Sequence, residues 1–157
     1  MAYNVIDLLN KAIAIASKKK LIYEDIGRKC LDIPAVKVMS KVLAKDVDKN
    51  INYYKELVGE TENNEFDEID FSVYDRMSFL INEFARKVYV PEINGVRELL
   101  KFSLELERDS HSLLIDLQGR FVRNEQDIYT KTYMVLADII KDKEKHISML
   151  EKMLKKN

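Results

Sequence analysis

Three side chains in this chain combine residue type and spacing in a way that chemistry could use: Glu107, Lys143 and His146. Lys143 and His146 lie three positions apart, so on a helix they share a face with Ile139, Ile140 and Leu150 and should point inward with them. Glu107 shares its face with Leu100, Ser103, Ser110 and Leu114. A carboxylate and a neutral imidazole are the donor types that iron and manganese accept. A carboxylate and an ammonium make an ion pair instead. His111, one turn after Glu107, reads as a histidine at the edge of the helix packing, with a displaced metal ligand as the other reading. Cys30, near a helix end, reads as a small apolar residue. Tyr23, Tyr53 and Tyr54 read as packing residues with one hydroxyl bond each. The chain has no glycine-rich phosphate loop and no nucleophile elbow, so nucleotide and conventional hydrolase chemistry find no support.

The elements that must position these residues occur twice. Leu8 to Ala16 lies over Leu99 to Glu107, and Lys45 to Ile51 lies over Lys141 to Ile147. In that register Ala16 falls opposite Glu107, Val47 opposite Lys143 and Asn50 opposite His146. Two helix pairs of matching register predict a duplicated antiparallel hairpin that closes into a four-helix bundle.

The first helix is expected from Tyr3 to Cys30, with Leu8, Leu9, Ala12, Ala16, Lys19 and Tyr23 at spacings of three and four. The run Lys18-Lys19-Lys20 is read as a mostly solvated face. Asp32 and Pro34 open a second helix that ends at Val58, with Gly59 as its stop and Val42, Val47, Asn50 and Tyr54 on its inner face. Glu60 to Asp70 is acidic and aperiodic, which predicts a solvated loop. Phe71 to Val88 is amphipathic and predicts a short crossover helix closed by Pro91 and Asn94-Gly95. Helices from Val96 to Val122 and from Asn124 to Lys155 complete the pattern. One long link between two tightly joined pairs is the layout of bundles with a single crossover connection.

Composition sets the outer bounds. A chain of 157 residues is long enough to bury roughly 70% of its unfolded surface in one core, so a single domain over residues 1–157 is expected. Only four glycines and two prolines fit a helix-rich fold. A formal net charge of −1 provides no field to recruit nucleic acid or an acidic membrane. The single cysteine excludes an internal disulfide framework. No apolar run reaches the ~18 residues of a membrane span, and the N-terminus lacks a signal pattern. A cytoplasmic protein is expected.

With these stretches in place, the chain resembles the rubrerythrin-like branch of the ferritin-like superfamily. Ala12-Ile13-Ala14-Ile15-Ala16 followed by Tyr23 resembles its A-I-x-x-E…Y pattern, and Leu43 to Ile51 resembles L-A-x-x-E-x-x-H-I. Ser103 to Ser110 resembles A-I-x-x-E-x-x-S, and Leu136 to His146 resembles the final stretch ending in E-x-x-H. The resemblance implies an all-α, ferritin-like antiparallel four-helix bundle whose long crossover contains a short helix. There is no rubredoxin-like C-x-x-C pair. The family's di-iron centre takes six ligands, one carboxylate from each of two helices and E-x-x-H from each of the others. Glu107 and His146 match that set. Ala16, Val47, Asn50 and Lys143 do not: the first two cannot ligate, Asn50 offers a weak carbonyl, and a Lys143 ammonium repels a cation.

Nearby carboxylates do not replace the missing ones. Asp46 and Glu144 adjoin lost positions but point about 100° away, and Glu105 and Glu24 also face elsewhere. All four read as solvated charges. The expectation is that Glu107 and Lys143 pair across the former metal cavity, with His146 and Asn50 as hydrogen-bond partners and Ala16 and Val47 as apolar filling. The implied function is a non-catalytic module that forms a homodimer or other homo-oligomer, or binds an unknown protein partner, and needs no cofactor. The alternative is an iron-binding oxidoreductase or iron- or peroxide-handling protein with a rearranged site, such as one iron held by Glu107, His146 and waters.

Overall fold

A computed structural model describes residues 3–62 and 69–156, with the side chains of 61 and 62 left aside. Helix α1 spans Val5–Lys29, α2 Pro34–Glu62, α3 Phe71–Lys87, α4 Val96–Phe121 and α5 Lys131–Lys156, with a short 3-10 turn at Glu125–Tyr129 before α5. Among the described residues there is no strand, and Tyr3 and Ile69 form an isolated bridge. None of these helices is long and apolar enough to cross a membrane.

The helix boundaries follow local chemistry. Asn4 caps α1: its side chain accepts from the Ile6 amide at 2.9 Å, while Asp7 accepts from the Asn4 amide at 2.9 Å. Asp70 caps α3 in the same way through the Ser72 amide. Helix α2 runs straight through Gly59, where a stop was expected. That glycine is exposed and nothing crowds it, so the helix continues at the ~1 kcal/mol propensity cost of a glycine. The expected start of the last helix at Asn124 also needs correction. Asn124 and Asp127 do form a capping box, but it opens the 3-10 turn. Thr130 restarts the chain as α5, its carbonyl accepting from the Met134 amide. The expected loop at 60–70 lies largely outside the described residues.

Helix α1 packs along α2, and α4 along α5, as two hairpins. Within the first, α1 packs tightly on α2 at Gly27, whose missing Cβ would lie 2.6 Å from Ser40 Oγ. The hairpins share one apolar core, contributed by Leu9, Ala16 and Tyr23 of α1, Leu43 and Val47 of α2, Leu100 and Leu104 of α4, and Ile139 and Leu150 of α5. Val42, expected on the inner face of α2, is exposed instead. Helix α3 lies against α1 and α4 and closes a smaller cluster through Met77 and Ile81, with Leu8, Leu117 and Leu136. The middle of the shared core is where three charged residues are buried.

Candidate functional site

Glu107 is 2% exposed at the centre of the core, which puts a carboxylate where burial penalises charge most. Its face of α4 is otherwise small and polar, with Ser103 one turn before and Ser110 one turn after, both buried. Ser110 donates its hydroxyl to the Leu106 carbonyl of its own helix. Ser103 Oγ shares a 2.8 Å hydrogen bond with Tyr23 Oη, which ties α4 to α1. The small side chains leave room around the carboxylate, and two lysines from other helices enter it.

Lys143 of α5 places Nζ 2.7 Å from Glu107 Oε2. Lys19 of α1 donates from Nζ to Oε1 at 3.1 Å. Each carboxylate oxygen therefore faces one ammonium, and both lysines are buried. His146 stands one turn after Lys143, with Nδ1 3.4 Å from Oε2, and its Nε2 is 3.8 Å from Asp46 Oδ2 of α2. The contacts at Oε2 are close but off the line of a well-formed hydrogen bond. Oε2 and both imidazole nitrogens thus lack aligned partners.

The charges shape one another's protonation. Burial alone would push the Glu107 carboxyl up, but Lys19, Lys143 and His146 together hold it well below the usual carboxylate range. Burial, followed by the neighbouring Lys143 ammonium, pulls Lys19 down to about 8, although Glu107 opposes both. Burial acts the same way on Lys143, where the Glu107 carboxylate, together with Tyr54 and Lys19, outweighs it and raises the ammonium above its ordinary value. The Tyr23 and Tyr54 phenols are raised, first by burial.

The expected Glu107–Lys143 pair is therefore present, with His146 beside it, Ala16 and Val47 buried around it, and a second cation that was read as part of a solvated lysine run. Lys18 and Lys20 do reach outward, to the Ala85 carbonyl and to Asp48. Lys19 turns inward because it occupies the apolar stripe between Ala16 and Tyr23, a spacing visible in the sequence. Asn50 faces the same interior cavity as Lys19 and Lys143 but makes no hydrogen bond to Glu107. Asp46, read as a solvated charge, is half-buried against His146. Glu144 is exposed and meets His111 Nε2 at 3.0 Å, while Glu105 and Glu24 face solvent. Cys30 donates weakly to the Ile93 carbonyl at 3.5 Å.

As a metal centre this donor set fits poorly. Both oxygens of Glu107 already face ammoniums, and Ala16 and Val47 add no donor. Among the described residues no three or more His, Cys, Asp or Glu side chains form a group that could hold a metal ion.

Either ammonium alone can neutralise Glu107. Lys19→Met or Lys143→Met should therefore stay within about 1 kcal/mol of wild type in urea unfolding at pH 7. Glu107→Ala, or both lysine changes together, should lose about 3–5 kcal/mol because a buried charge is left unpaired. Additive single and double losses would contradict shared pairing. The pH dependence carries a sign. Lys19 holds its proton less tightly when folded, so between pH ~8 and ~10.5 the unfolded state binds more protons and stability rises with pH. The penalty from Lys19 is complete below that window. Lys143 shifts the other way, so its contribution stays constant there and is lost only at higher pH. Wild type should accordingly gain up to about 3 kcal/mol relative to Lys19→Met between pH 7.5 and 10.5, and parallel pH profiles would refute the assignment.

No family model, curated protein or solved structure matches the chain, so what the site can do has to be argued from its own residues.

Proposed function

We propose that this chain is a single-domain, ferritin-like four-helix bundle of the rubrerythrin-like branch in which lysine ammoniums have taken the place of the di-iron cations, leaving a non-catalytic module that works through its surface. One observation carries this reading. Both oxygens of Glu107, which the resemblance makes a metal ligand, are held by cations from two other helices, Lys19 and Lys143. His146, the other matching ligand, stands beside the same carboxylate. Ala16 and Val47 add buried apolar atoms there and no donor. An interior built this way has its charge supplied by the chain and needs no metal to hold its helices together.

The cluster also argues against redox turnover at a metal, because each oxygen of Glu107 already faces an ammonium. The surface offers more. Leu21, Leu31 and Val38 on the α1–α2 hairpin are each more than 60% exposed, as are Tyr89 and Tyr129. Apolar side chains exposed to that degree suit self-association or contact with a protein partner. We read the working form as a homo-oligomer in the cytoplasm.

The test is metal content by plasma mass spectrometry after anaerobic loading with Fe(II), on wild type and Glu107→Ala. The expected result is near-zero iron in both, with self-association seen by light scattering across concentrations. About one or two irons per chain, lost in the variant, would return the protein to iron or peroxide chemistry. A monomer at every concentration would remove the self-association.

A further inference from the structure

The buried cluster does not balance its own charge. Lys19 and Lys143 bring two ammoniums to the one carboxylate of Glu107. The next acidic group, Asp46, is only half-buried and lies on the far side of the His146 ring. Each ammonium has three N–H donors. Among the described residues each meets one acceptor, an oxygen of Glu107, and no second. Surplus positive charge and unused donors in a low-dielectric interior are costly unless something negative accepts them.

The structure holds a space in the right place. A cavity of about 50 Å³ is lined in part by both lysines, with Asn50, Tyr54 and Ser110 also lining it and the Ser110 hydroxyl already given to the Leu106 carbonyl. Its remaining wall is apolar, formed in part by Ala16, Val47 and Leu114. That is several times the ~10–15 Å³ that a single water needs, which leaves room for a halide or a carboxylate the size of formate. Water in the cavity would offer a lone pair but no counter-charge. Asn50 also lines the cavity, and its amide can donate to an anion as well as accept.

We propose that this cavity binds one small monovalent anion, a halide or a formate-sized carboxylate, between the Lys19 and Lys143 ammoniums. The anion completes a cluster of two positive and two negative charges. The site is then the reverse of a metal centre: the chain supplies the cations and solution supplies the anion. This rests on the charge count and the cavity, and it stands whether or not the bundle descends from an iron protein.

Thermal unfolding of the full chain tests it, in sodium chloride against sodium gluconate at equal ionic strength, since gluconate is too large for the cavity. Wild type is expected to show a higher Tm in chloride that climbs with chloride concentration, as mass action requires for a ligand of the folded state. In Lys19→Met the charges already balance without an anion, so the apparent chloride affinity should fall at least tenfold. Lys143→Met gives the same readout should Lys19→Met fail to fold. Formate in place of chloride separates the two sources: a chloride-like rise with formate assigns the site to small anions in general, and a rise with chloride alone assigns it to halide. An identical Tm in chloride and gluconate would overturn the proposal. So would an equal chloride increment in wild type and both lysine variants, which would mark a general salt effect. Neither outcome depends on how much iron the protein takes up.

Discussion

A carboxylate removed from water must have its charge answered on the spot, and in this protein that requirement joins the two halves of the fold. Glu107 belongs to α4, Lys143 to its hairpin partner α5, and Lys19 to the opposite hairpin. The ion pairs therefore bridge both within a hairpin and between hairpins. Ser103 and Tyr23 repeat the cross-hairpin link one turn away. Apolar packing supplies most of the driving force, as in any helical core, but packing between similar aliphatic faces discriminates weakly between registers. Moving α1 by one turn would leave Glu107 with one cation fewer and bury the Lys19 ammonium without a partner. The polar centre thus sets which arrangement of the four long helices is worth forming, the role that buried polar groups hold best.

Much of this was legible in the sequence because it rests on helical periodicity. Glu107, Lys143 and His146 lie on apolar faces, and facing positions in a paired-helix layout bring them together. Where the reading failed, a local signal competed with a tertiary one. Lys19 was masked by the lysines on either side, although its spacing from Ala16 and Tyr23 placed it inside; three identical residues in a row point in three directions on a helix. Gly59 carried the usual sign of a helix end, yet an exposed glycine in a long helix costs too little to stop it. Asn124 and Asp127 displayed a genuine capping box, and composition alone could not say that it opens a 3-10 turn ahead of Thr130. Asn50 was placed correctly at the cavity but assigned a hydrogen bond to Glu107 that it does not make.

The functional argument follows from the same cluster. A protein that handles iron or peroxide needs carboxylates free to exchange ligands, and this one commits to two ammoniums the only deeply buried carboxylate among its described residues. The resulting interior is positively biased, with two ammoniums to one carboxylate. Surplus positive charge left beside a cavity is the one feature of it that invites a ligand, and that ligand is negative. On the exterior, Leu21, Leu31 and Val38 stand in solvent.

All of this depends on Glu107 being ionised and held by its lysines. Carbon-detected NMR of its carboxyl, assigned by comparison with Glu107→Gln and followed as pH falls, measures that state directly. The account predicts that the Glu107 signal keeps its ionised shift as pH falls through and below the ~4.3 of a free glutamate, changing only when the fold is lost. A Glu107 that takes up its proton with the surface glutamates, or before them, would contradict it.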